Sequence, residues 1–175
     1  MKRIMKDGTL MFYPSVGLDK ATWFWKNGIA AEGLLISYDV LLKISTSKSA
    51  TRDSDVRTIL GFDGLVIVDS GAFGKSVEKD PVVVYERQKK LMPEIAILLD
   101  EIPGRRYSHD AERQAINTTI LNARRVKKLN NDELMLMAVA QGNSERLLKS
   151  CSTRLNAMGF NLVGIPLSHY SKYRQ

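Results

Sequence analysis

From about residue 33 onward, short apolar runs alternate with longer amphipathic segments, and this rhythm constrains the chain more than any other feature. A strand of a parallel sheet is buried on both faces and reads as a continuous apolar run, whereas the helix that returns the chain carries apolar residues at helical spacing. The pattern predicts βα units around a parallel sheet. Strands are expected at Gly33–Tyr38, Leu65–Val68, Ile95–Leu99, Leu134–Ala140 and Phe160–Leu167.

The intervening segments carry helix signals. Pro81 follows Asp80 as a first-turn proline behind an N-cap and opens a helix to about Leu91. Ser108 caps a helix from His109 whose Ala115, Ile116, Ile120 and Ala123 share one face, and Asn130-Asn131-Asp132 breaks it. Ser144 caps a further helix that stops at Gly159. Before residue 33 the pattern is less regular, with a helix expected around Ala21–Ile29, and Ser45–Asp55 reads as a polar loop. With no internal repeat beyond the βα unit and no linker, residues 1–175 are expected to form a single α/β domain. At 175 residues the chain can bury a sizeable core. It is short for a closed eight-stranded barrel, which takes about 250 residues.

The formal net charge of +7 favours an anionic partner, foremost nucleic acid, against simple solubility as the alternative. Arg105-Arg106 falls in a loop, where it is free to meet phosphate. Arg124-Arg125 and Lys127-Lys128 cluster at a helix end, where they also complement the helix dipole. Cys151 is the only cysteine, which excludes an intrachain disulfide and a cysteine-cluster zinc site and leaves an inert helical thiol as its expected state. No apolar run approaches the roughly 20 residues of a membrane span, and the basic start MKRIMKDG is not followed by a signal-peptide core. A cytoplasmic protein without membrane contact is expected.

One stretch, VIVDSGAFGKS over 66–76, ends in the Gly-Lys-Ser of a phosphate-binding loop, and Ile97-Leu98-Leu99-Asp100-Glu101 resembles the acidic strand end that holds Mg²⁺ in nucleotide hydrolases. Five positions before Gly74, where that loop needs glycine, stands Asp69. Its carboxylate would repel phosphate, and its Cβ would block close backbone approach. A nucleotide hydrolase is therefore a third choice.

Polar residues gather at the expected strand ends: Ser37, Asp69, Asp100 and Gln141. In parallel α/β folds ligands lie beyond the carboxyl ends of the strands, so these side chains should converge on one site. Each alone could be a turn or helix cap.

From about Gly33 to Leu167 the chain resembles the tRNA-guanine transglycosylase family, whose members exchange guanine in nucleic acid for a 7-deazaguanine base. Asp69-Ser70-Gly71-Ala72-Phe73 is similar to the family's Asp-Ser-Gly-Gly-Phe-Gln, with Ala72 and Gly74 replacing the second glycine and the glutamine. Glu94 to Pro103 resembles Asp-Ile-x-Met-x-Leu-Asp-Glu-x-x-Pro, and Leu35 to Leu42 resembles the segment with Asn-Thr-Tyr-His-Leu. Val139-Ala140-Gln141-Gly142 resembles the Val-Gln-Gly strand end, and Gly159 to Ile165 a Gly-Phe-Asp-Gly strand. The order and βα spacing of these segments carry the resemblance.

The resemblance implies a partial TIM-type (β/α) barrel of about five parallel strands. It makes Asp69 the acid/base aspartate beside the departing base, Asp100 the reader of the guanine edge, and Gln141 a second base-binding group. Ser70, Gly71, Phe73, Gly142 and Gly164 would line or support the pocket, with Phe73 chiefly packing beneath it, and Lys75, Arg105 and Arg106 would meet the polynucleotide backbone. A carboxylate can accept hydrogen bonds from the guanine N–H pair, and a glutamine amide can donate and accept. No cofactor and no metal are expected; His109, His169 and Cys151 make no metal spacing. The family's nucleophilic aspartate and its zinc site fall on later segments with no counterpart in this sequence, which leaves Asp69 as the motif carboxylate that could substitute. Three readings stand beside each other: a compact transferase acting on tRNA or, as a phage-type relative, on DNA; a chain that completes its barrel with a second polypeptide; and a base-binding protein without the chemistry.

Overall fold

The computed structural model describes residues 10–13, 33–46, 55–72, 78–102, 108–131 and 133–166. Six strands form one parallel sheet: β1 (Leu10–Tyr13), β2 (Gly33–Ile36), β3 (Leu65–Val68), β4 (Ile95–Ile97), β5 (Met135–Val139) and β6 (Leu162–Gly164). Their spatial order is their chain order, each strand pairing with its sequential neighbour. Five helices are described: α1 (Tyr38–Thr46), α2 (Val56–Leu60), α3 (Pro81–Lys90), α4 (His109–Leu129) and α5 (Glu145–Ala157). The α/β architecture is that of a partial TIM-type barrel, and among the described residues its sheet does not close.

All five expected strands are present, and β1 adds a sixth, with Leu10 opposite Gly33 and Tyr13 opposite Ile36. The four residues LMFY are too short to show a period of their own, so only the pairing reveals the strand. Several strands are shorter than expected, because their last residues leave the ladder to form the functional end: β2 stops at Ile36, β4 at Ile97 and β6 at Gly164. Two helices were not anticipated. Helix α1 runs into the expected polar loop as far as Thr46, and Asp55 is the N-cap of α2, accepting from the Arg57 N–H at 2.9 Å. The helix expected at 21–29 lies outside the described residues.

The remaining caps form as expected. Asp80 Oδ1 accepts from the Val82 N–H at 3.0 Å with Pro81 following, Ser108 Oγ from Ala111 at 3.2 Å, and Ser144 Oγ from Leu147 at 3.3 Å. Each such cap is worth about 1 kcal/mol to its helix. The capped helices cover one sheet face. Leu34, Ile36, Val66 and Val68 are buried with residues of α1, α2 and α3, and Ala96, Leu136 and Ala138 with Ile116, Ile120, Ala123 and Leu155 of α4 and α5. Alternate residues point the other way. Leu65, Ile67 and Ile95 pack there with the half-buried Leu35, Ile97, Met135, Met137 and Leu162, the apolar lining that a barrel would enclose.

The two ends of the sheet differ in chemistry. At the amino end Glu94 accepts from the Val66 N–H at 2.7 Å and pairs with Arg57, which also binds Asp55, so half-buried charges are matched by opposite ones. At the carboxyl end the polar groups are not matched in this way.

Candidate functional site

Asp69 follows β3 directly, and its N–H donates to Ile36 O at 2.8 Å, continuing the β2–β3 ladder by one rung. Its Oδ2 accepts from the Gly71 N–H at 3.3 Å. Burial pushes the Asp69 carboxyl above its usual range, the N–H groups of Ser70 and Gly71 oppose this, and nearby Asp39 adds to it. The turn needs its glycine. Gly71 has φ +77°, and a Cβ there would stand 2.6 Å from Tyr38 Cβ. Tyr38 is buried beneath it, its hydroxyl accepting from Arg87 at 2.8 Å.

Asp100 and Gln141 meet across β4 and β5. Gln141 Nε2 donates to Asp100 Oδ2, and both side chains are buried. Burial raises the Asp100 carboxyl to about 6, against the Gln141 hydrogen bond and with help from the charge of Asp69. Cys151 of α5 accepts from the Gln141 N–H at 3.4 Å and is itself pushed up by burial, which makes the thiol a backbone anchor for Gln141. Gly142 has φ +153°, and a Cβ would fall 2.6 Å from Leu148 N, so this turn lies flat against the first turns of α5.

Helix α4 fixes the same ends from below. Thr119 Oγ1 accepts from the Glu101 N–H at 2.9 Å, Asn122 Nδ2 donates to Leu99 O at 3.3 Å, and Glu112 accepts from the Asn143 N–H. Residues 112, 119 and 122 interrupt the apolar face of α4 at i, i+7 and i+10. That polar interruption of a buried face is the signal sequence reasoning overlooked.

Five buried side-chain atoms lack a hydrogen-bond partner among the described residues: Ser37 Oγ, Ser70 Oγ, Gln141 Oε1, Asn143 Nδ2 and Gln88 Oε1. The first four lie at or just beyond strand carboxyl ends. A buried orphan costs about 1–3 kcal/mol, so several at one end of a sheet leave hydrogen-bonding capacity there that a polar ligand could meet. Asp100 and the free Gln141 oxygen together can accept two N–H donors from a planar polar ligand. Asp69, with its raised pKa, can hold a proton close by.

Asp69, Ser70, Gly71, Asp100, Gln141 and Gly142 are thus brought to the carboxyl end of β3–β5. Gly164 stays within β6, its carbonyl accepting from the Ala140 N–H at 2.9 Å. Phe73, Lys75, Arg105, Arg106 and His169 lie outside the described residues. Two arginines absent from the expected set line an open cleft of about 530 Å³: Arg113 of α4 and Arg146 of α5, with His109, Asp110, Ser144, Leu147 and Ser150. Ser144, at the mouth of this cleft, follows Gln141 by three residues in the chain. The described helix that follows β3 opens at Pro81 on the Asp80 carboxylate, and Gly74-Lys75-Ser76 lie outside the described residues. Among the described residues no group of three or more His, Cys, Asp or Glu side chains could hold a metal ion, and no helix is long and apolar enough to cross a membrane.

The family model described as queuine tRNA-ribosyltransferase matches residues 41–172 of the chain. No curated protein matches it.

Proposed function

This chain belongs to the queuine tRNA-ribosyltransferase family, and from that premise we propose that it exchanges guanine in a nucleic acid for a 7-deazaguanine base. The glycosidic bond to guanine breaks as a proton reaches the departing base, and the incoming base loses its proton as the new bond forms. The exchange is balanced in protons and calls for no nucleotide hydrolysis. Asp69 serves as the acid/base group, and Asp100 with Gln141 reads the guanine edge. The observation that carries this reading is the buried Asp100–Gln141 pair, which leaves an unpartnered acceptor at the strand ends. Arg113 and Arg146 of the neighbouring helices supply cations suited to phosphates.

The test is incorporation of labelled guanine into RNA and into DNA, with loss in Asp100→Asn, and a denaturation-resistant adduct lost in Asp69→Asn if Asp69 is also the nucleophile. Absence of label in both polymers, from folded protein assayed alone and with candidate partner chains, would refute the enzymatic reading. One observation favours a second reading, a subunit of a split enzyme. Among the described residues the sheet runs from β1 to β6 without pairing back, and its inner apolar residues Leu35, Met135, Met137 and Leu162 are only half-buried. A second polypeptide supplying strands would close it, and activity appearing only on its addition distinguishes the two.

A further inference from the structure

Gln88 lies fully buried in α3, beneath the carboxyl ends of β3 and β4. Its Nε2 faces three main-chain oxygens: Ile97 O at 2.9 Å, Asp69 O at 3.2 Å and Val68 O at 3.3 Å. The first belongs to β4, and the other two to β3 and the residue just past it. Between these two strands the ladder is the shortest in the sheet, with only Ile67–Ile95 and Val68–Ala96 in register. Four pairs join β2 to β3, and three join β4 to β5. The strands that carry Asp69 and Asp100 are therefore the ones whose own ladder ends soonest.

From this geometry we infer that Gln88 is a positioning residue, its amide replacing the missing rungs and setting the spacing of the β3 and β4 ends that carry Asp69 and Asp100. Three acceptors converge on one point, and a primary amide brings two N–H donors to it without bringing a charge. Leucine or methionine of similar length would leave those carbonyls facing apolar atoms. The Gln88 Oε1 has no partner among the described residues, so the donors, not the acceptor, account for the residue type. The base-reading pair ties the β4 end to β5 through its own hydrogen bond, which does not involve Gln88. Loss of the bridge moves Asp69 relative to a base that remains bound.

The inference rests on the proposed base exchange for its kinetic consequence and on backbone order for an independent one. In Gln88→Met, kcat for guanine exchange falls about 10–100-fold, as expected for a misplacement of about 1 Å, while guanine affinity stays within about threefold. Val84→Ala, a buried residue of the same helix that packs on β3 through side-chain contacts with no hydrogen bond to the strand ends, provides a control with comparable loss of Tm and unchanged kcat. Gln88→Glu, whose acid form keeps one O–H donor, gains activity relative to the wild type as pH falls, and it stands in if Gln88→Met does not fold. Equal kcat in Gln88→Met and Val84→Ala, or parallel loss of guanine binding and kcat, overturns the inference. If the wild type exchanges no base, the proposed function falls and amide hydrogen exchange decides instead. Faster exchange confined to residues 69–71 and 98–100 in Gln88→Met supports the positioning role, and exchange equal to that of Val84→Ala overturns it.

Discussion

Replacing Asp100 with asparagine should stabilise this protein at neutral pH while removing base exchange. Burial lifts the Asp100 carboxyl from 3.8 to about 6 on folding. The folded chain therefore holds this proton more tightly than the unfolded chain. The stabilisation from Asp100 is fully present below pH 3.8 and is lost as pH rises through about 6. The difference in pKa corresponds to a ceiling of about 3 kcal/mol, since each unit is worth roughly 1.4 kcal/mol. Asparagine is neutral at every pH and keeps an oxygen for the Gln141 amide, so Asp100→Asn escapes the cost of an ionised, buried carboxylate. Its advantage over the wild type should be near zero at pH 4 and grow to as much as about 3 kcal/mol at pH 8, or roughly 6–12 °C in Tm for a domain of this size. Urea unfolding of both proteins at half-unit steps of pH measures the difference directly. A variant less stable than the wild type at pH 8, or a gap of the same size at pH 4 and pH 8, refutes the reasoning.

Two further outcomes are expected. Gly71→Ala should cost about 2–3 kcal/mol, since the left-handed conformation and the overlap with Tyr38 act together; an unchanged urea midpoint would contradict the turn geometry. Joint replacement of Arg113 and Arg146 by alanine should weaken polynucleotide binding and lower the slope of log affinity against log salt by about 1.4–1.8, and an unaltered slope would remove the cleft from the binding surface.

Much of the fold was legible because parallel strands and their return helices have different periods, and because Asp80, Ser108 and Ser144 announce helix starts by their side-chain oxygens. Strand β1 escaped since its four residues are specified by pairing with β2 rather than by local pattern. Helix α1 escaped because its first residue, Tyr38, extends the apolar run of β2 and its last, Ser45 and Thr46, open a polar stretch, while Tyr38, Val40 and Leu41 are buried in the core cluster with distant segments. At the site, Asp69, Asp100 and Gln141 could be read from their position after apolar runs. Gln88, Thr119 and Asn122 could not, because a polar residue in a helix is ordinarily solvated, and only tertiary structure shows which strand end it meets.

The spatial order of the strands, identical to their order in the chain, also bears on synthesis. Every crossover joins neighbours, so each βα unit can dock on the preceding one as it leaves the ribosome, without waiting for a distant partner. Asp69, Asp100, Gln141 and the bridging Gln88 all precede β6. The pocket can therefore begin to take shape during translation once α5 has docked and before β6 pairs.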